Sequence, residues 1–180
     1  MLRESAANRA TLRAFFALWP DATVRAALAP LVRDIARKVH GRPTAVESIH
    51  LTLAFLGEVA EAALPSLEAI GAAMPRGTCV MQLAQCGTFG GARVAWVAPA
   101  ETPPELVTLE SQLRTALAAG GFRTEERPFA PHLTLARKCG RALPRTAITP
   151  IAWNVDRLSL VASSLEPGGA RYREIAGWPL

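Results

Sequence analysis

A short pattern occurs twice in this chain and restricts its fold more than any other feature. The copies are Ile49-His50-Leu51-Thr52-Leu53-Ala54 and Pro131-His132-Leu133-Thr134-Leu135-Ala136. In each, apolar residues alternate around a His-x-Thr, the period of a β-strand with one face in the core. Side chains two apart share a strand face, so His50 and Thr52 point one way and the leucines the other. The same holds for His132 and Thr134. If the two strands lie side by side, two imidazoles and two hydroxyls converge on one cleft. Such a set combines acid–base groups with hydrogen-bond donors, which suits an anionic tetrahedral group such as a phosphate. A lone histidine at a strand end is ordinarily a backbone-bonded polar residue. Two of the three histidines repeating the same context argue against that reading for both. His40, the third, has no such pattern and reads as an exposed helix-end residue.

The rest of the chain organises around these strands. Residues 1–11 read as a flexible tail and 12–180 as one domain. Leu12–Leu18 reads as a strand with Phe15 and Phe16 in the core. Asp21 is placed to cap a helix running to Val39, which Pro30 should kink or divide. The first His-x-Thr strand spans Ser48–Leu56 and closes at Gly57. A helix over 60–73 must start late if Pro65 is to lie in its first turn. Thr78–Cys86 and Ala92–Ala98 read as a hairpin around Gly87–Gly91. Pro103-Pro104 opens a helix over 105–119, stopped by Gly120-Gly121. The second His-x-Thr strand is Pro131–Arg137, and 141–150 reads as loop. Trp153–Ser164 reads as one long strand, Pro167-Gly168-Gly169 as a turn and 170–175 as a final strand. The order suggests one strand–helix unit written twice, an α+β fold with two lobes and pseudo-twofold symmetry.

Composition narrows the function classes. The chain carries 20 basic and 15 acidic residues, a net charge of +5, which is permissive of an anionic partner. Three cysteines at wide spacing and three histidines give no zinc pattern and no even disulfide set. No leader-like apolar core and no run of 18 apolar residues is present, so the expectation is a cytoplasmic protein without a membrane span.

His50-Leu-Thr-Leu-Ala-Phe-Leu-Gly57 and Arg127-Pro-Phe-Ala-Pro-His-Leu-Thr-Leu-Ala-Arg137 resemble the two signature segments of the 2H phosphoesterase superfamily. Within it the chain is similar to the LigT-like RNA 2′,3′-cyclic phosphodiesterases, also called 2′-5′ RNA ligases. Arg13-Ala-Phe-Phe-Ala-Leu18, Gly41-Arg-Pro43, Arg93-Val-Ala-Trp96 and the segments around Leu160, Tyr172 and Trp178 extend the likeness over about 12–180. The resemblance implies antiparallel sheets lining a central cleft, with helices outside. It also implies opening of RNA 2′,3′-cyclic phosphate ends to 2′-phosphates with no metal and no cofactor; a monomer is expected. His50 would be the general acid and His132 the general base, while Thr52 and Thr134 hold phosphoryl oxygens. The residues themselves support the pair without dividing the two roles.

Arg137 matches a basic residue after the second motif, although its odd spacing from His132 turns it off the cleft unless the strand has ended. A phosphate contact is expected for it. Phe129, Arg42 and Arg93 are candidate base or RNA contacts, whereas Phe55 reads as core. Two other activities use the same residues: joining of RNA ends through a 2′-5′ bond, and phosphate binding without catalysis. Intact threonines in both copies argue against the last.

Overall fold

The structure, a computed structural model, describes residues 10–125, 127–166 and 169–180. The expected tail, apart from its last two residues, and the Pro167-Gly168 part of the expected turn lie outside them. Among the described residues, nine strands and three α-helices follow one another as β1 (Thr11–Leu18), α1 (Ala22–Lys38), β2 (Arg42–Pro43), β3 (Leu51–Ala60), α2 (Leu64–Ala72), β4 (Cys79–Phe89), β5 (Val94–Pro99), α3 (Pro104–Ala119), β6 (Leu133–Arg137), β7 (Thr146–Val155), β8 (Arg157–Glu166) and β9 (Gly169–Pro179). All pairings are antiparallel, in the order β7-β4-β5-β6-β3-β1-β8-β9, with the short β2 alongside β6.

The seam of this sheet lies at the repeated motif. β3 and β6 meet through the pair Leu51–Leu133, the residue after each histidine. On either side of it stand four strands in mirrored order, which is the two-lobed arrangement expected. Leu51 and Leu133 are both fully buried, so their neighbours on each strand turn to the opposite face, toward the cleft. An antiparallel crossing at this pair runs each motif's histidine toward the other's threonine. Asp156 alone separates β7 from β8, although the sheet order sets them in different lobes. Adjacent Cα atoms are about 3.8 Å apart, so the sheet must curl enough to bring the end of β7 to the start of β8.

The helices bind the lobes to one another. α1 follows β1 of one lobe but packs against β6 and β7 of the other, while α3 follows β5 and packs against β3 and α2. The carbonyl of Val39, just beyond α1, accepts from Gly140 and Arg141 N–H at 2.9 and 3.0 Å. Asp21 caps α1 as expected, its carboxylate accepting from Val24 N–H at 2.9 Å. Pro30 does not divide α1, which runs unbroken. A mid-helix proline costs about 3 kcal/mol, but burying Val24, Leu28, Val32 and Ile35 contributes about 1.5–3 kcal/mol each and outweighs it.

Other boundaries moved for equally local reasons. Thr11 belongs to β1 rather than to a tail, since it pairs with Ala60. β3 passes through Gly57 at φ +70° instead of stopping there, and the strand opposite shifts register at Ala14/Phe15. α2 starts late, with Pro65 in its first turn. The stretch 146–150 is strand, not loop. β7 is an edge, where Pro150 is tolerated because an edge strand has one side free of ladder bonds. The long strand expected over Trp153–Ser164 is two strands, and the last strand extends to Pro179. Phe16 is core, but Phe15 faces the other side of β1 in a separate small cluster with Ala17, Val161, Trp19, Phe55 and Tyr172.

Candidate active site

His50 stands at the entrance to β3, immediately after a short helical turn at Val46–Ser48. Its Nδ1 lies 2.8 Å from the carbonyl oxygen of Ser48. A carbonyl can only accept, so Nδ1 carries the hydrogen and Nε2 is left for the cleft. His132 repeats this arrangement ahead of β6: its Nδ1 lies 2.8 Å from Ala130 O. Both rings are thus anchored through the nitrogen on the sequence-near side, by the carbonyl two residues back. An imidazole held this way offers Nε2 as a proton acceptor when neutral and a donor when charged.

The two surroundings differ. Three aromatic rings surround His50, with centroids at 5.0 Å (Phe15), 4.9 Å (Trp19) and 4.9 Å (Tyr172, edge-on). Burial among them pushes the His50 pKa down to about 4, against the opposing pull of the Ser48 carbonyl. The positive charges of Arg137 and His132 push it the same way as burial. His132 has a single aromatic neighbour, Phe89, edge-on at 5.0 Å. Phe89 in turn stacks on Trp96 at 5.4 Å. Trp96 fits because residue 87 is glycine: a Cβ there would come within 2.7 Å of the indole.

Both histidines, Thr52, Thr134, Arg137 and Phe129 line one cleft of about 570 Å³. Arg137 is still paired, with Val94 and Arg42, but the pairing of β6 with β5 skips Leu135; Leu135 and Ala136 are both buried, so alternation reverses there and the Arg137 side chain joins the cleft. Phe55 also lines the cleft. Arg42 and Arg93 are not among the lining residues. Arg42 sits across from Arg137 on β2, with Nη2 3.9 Å from where a Cβ would project from Gly169 on the other lobe. Arg93 donates from Nε to Cys139 O at 2.9 Å and so ties the β4–β5 turn to the end of β6.

Sequence reasoning did not single out Tyr172, Phe15, Trp19 or Phe89. The aromatic residues of β1 look like core in any hydrophobic pattern, and Phe89 sits in a glycine-rich turn. The one sequence signal that could have found Tyr172 is that it is the sole tyrosine. Among the described residues, no three His, Cys, Asp or Glu side chains gather as a metal-binding group. Nor is any helix among them long and apolar enough to cross a membrane.

Comparison with known proteins agrees with this geometry. The RNA 2′,3′-cyclic phosphodiesterase of Escherichia coli (strain K12) is 34% identical over 144 residues, covering 78% of this chain and 80% of its own length. The protein of that name from Thermus thermophilus is 32% identical over 175 residues, covering 89% and 86%. The crystal structure of E. coli LigT complexed with 3′-AMP superposes with a TM-score of 0.84 at 31% identity, over 95% of this chain and 99% of that one. The 2′-5′ RNA ligase superfamily matches residues 18–166, both His-x-Thr strands included, and this chain belongs to it.

Proposed function

We propose that this protein is an RNA 2′,3′-cyclic phosphodiesterase that opens cyclic phosphate ends to 2′-phosphates. The observation that carries the reading is the pair of carbonyl-anchored imidazoles, each with its own threonine, lining one cleft with Arg137. The names of the relatives support the same activity.

The reaction follows from the chemistry of the groups. Nε2 of neutral His132 takes a proton from water as the water oxygen bonds to phosphorus. The bond from phosphorus to the ribose 3′-oxygen breaks, and protonated His50 delivers its Nε2 proton to that oxygen. The products are a 2′-phosphate and a free 3′-hydroxyl. Thr52 and Thr134 hydroxyls donate to the non-bridging oxygens, where charge builds in the transition state. Arg137 suits paired hydrogen bonds to those same oxygens. None of these steps calls for a metal or a cofactor.

His50 must be charged to act as the acid, yet burial keeps it neutral at pH 7 in the open cleft. The substrate resolves this. One negative charge about 4 Å away, at an effective dielectric near 20, is worth about 4 kcal/mol or about three pKa units. That carries a histidine from about 4 to near neutrality. Proton uptake by His50 is therefore coupled to binding of the anionic phosphodiester, so the acid is armed only when substrate is present.

In this reading the protein is a monomeric cytoplasmic enzyme; free Cys79, Cys86 and Cys139 suit a reducing compartment. The test is incubation of an RNA bearing a 2′,3′-cyclic phosphate with the protein in excess EDTA. A 2′-phosphate end is the expected product. A 3′-phosphate product, or turnover only after a metal is restored, overturns the mechanism.

A further inference from the structure

The cleft continues past His50 into an adjoining compartment of about 410 Å³. His50, Thr52, Phe55, Arg137 and Tyr172 line both. The second compartment adds Arg13, Phe15, Ser163, Leu165 and Ala170.

Charge distinguishes the two sides of the cleft. The two arginines that line the His132 side alone are matched by carboxylates: Arg114 with Glu110 at 3.6 Å and Arg127 with Glu125 at 2.9 Å. On the His50 side, no carboxylate is among the described lining residues. Arg13 has no ion pair among the described residues. Glu58, its cross-strand neighbour on β3, makes none with it. What holds Arg13 is the face of Phe55, 5.4 Å from its Cζ to the ring centroid, which leaves the N–H edges of the guanidinium for another acceptor. The sheet register sets Ser163 directly across from Arg13 on β8, and Tyr172 across from Ser163 on β9. Cross-strand partners share a face, so an arginine, a hydroxyl and a phenol form one row in this compartment.

We propose that this compartment is a second phosphate subsite, in which Arg13 and Ser163 hold the phosphate on the 5′ side of the terminal nucleotide. The RNA chain then leaves the cleft past His50, and the charge-balanced His132 side carries no backbone phosphate. This inference rests on the phosphodiesterase reading and adds a polarity and a length preference to it.

The test compares kcat/KM, in EDTA, for three substrates: adenosine 2′,3′-cyclic phosphate, the same compound with a 5′-phosphate, and a dinucleotide ending in the cyclic phosphate. The two phosphate-bearing substrates should exceed the first by about tenfold or more, the scale of one charged hydrogen-bonded contact. An advantage confined to the dinucleotide assigns the subsite to the internucleotide linkage, while one shared by both assigns it to phosphate at that position generally. Arg13→Gln should collapse the advantage, and Arg13→Lys should keep part of it. The wild type provides a measurement independent of any variant's folding. Its log–log dependence of kcat/KM on salt should be steeper by about 0.7 for each phosphate-bearing substrate. Equal kcat/KM and equal salt slopes for all three, or Arg13→Gln slowing all three by one factor, overturn the subsite. Failure of the wild type to turn over any of them instead overturns the phosphodiesterase reading itself, and the subsite with it.

Discussion

His50 ties folding stability to pH in a way that His50→Gln should abolish. Its pKa is about 4 in the folded chain, chiefly because Phe15, Trp19 and Tyr172 exclude water from the ring, against 6.5 for the free side chain. Because the folded value is depressed, the unfolded chain binds the proton first as pH falls. The associated stability is complete above about pH 6.5 and is lost as pH drops toward 4. The gap of about 2.5 pH units corresponds to a ceiling of about 3.4 kcal/mol, of which about 2.5 kcal/mol is expressed at pH 4.5. Carboxylate titration is common to wild type and variant and cancels in the comparison. Urea unfolding at pH 7.5 and 4.5 is the assay, with the slope against denaturant checked for constancy. The wild type should lose about 2.5 kcal/mol more than His50→Gln between the two conditions. Identical pH dependence would show that the ring is hydrated, and the substrate-armed acid would then have no basis.

Three further outcomes follow from the site and the packing beneath it. Thr52→Ala and Thr134→Ala should each lower kcat by less than loss of a histidine, about 10–100-fold for one hydrogen bond to a charged oxygen; a loss in KM alone would remove them from the transition state. On bis(4-nitrophenyl) phosphate, whose leaving group departs without a proton, His50→Ala should be far less impaired than His132→Ala, and the reverse order would exchange the acid and base. Gly71→Ala should destabilise by about 1–3 kcal/mol through overpacking, because a Cβ at that position would overlap the ring of Trp178; an unchanged thermal midpoint would contradict the contact.

Much of this site was legible before any coordinates, and the reason is periodicity. His50, Thr52, His132 and Thr134 lie on alternating strands whose leucines identify the buried face, so the polar face was fixed by subtraction. The meeting of the two strands at Leu51–Leu133 was not readable, since pairing between residues so far apart leaves no local trace. Arg137 escaped alternation because a bulge at Leu135 reverses the faces of β6 beyond it, and that bulge exists only in the pairing with β5. The stretch 146–150 read as loop although it is strand; whether a strand tolerates Pro150 depends on its being central or at an edge, which is a property of the whole sheet. The aromatic cage of His50 was hidden for a related reason: Phe15 and Phe16 are adjacent, and which of them faces the core depends on the register of β1. Arg42 and Arg93 were plausible by charge and proximity to the motifs, but the structure sets them outside the cleft lining.

The most direct measurement is kcat on a 2′,3′-cyclic phosphate end for the wild type, His50→Ala and His132→Ala. Each substitution should lower kcat by about 10²–10⁴-fold, with binding of the substrate changed much less. If either variant turns over at close to the wild-type rate, the two imidazoles do not share the work at one phosphorus atom.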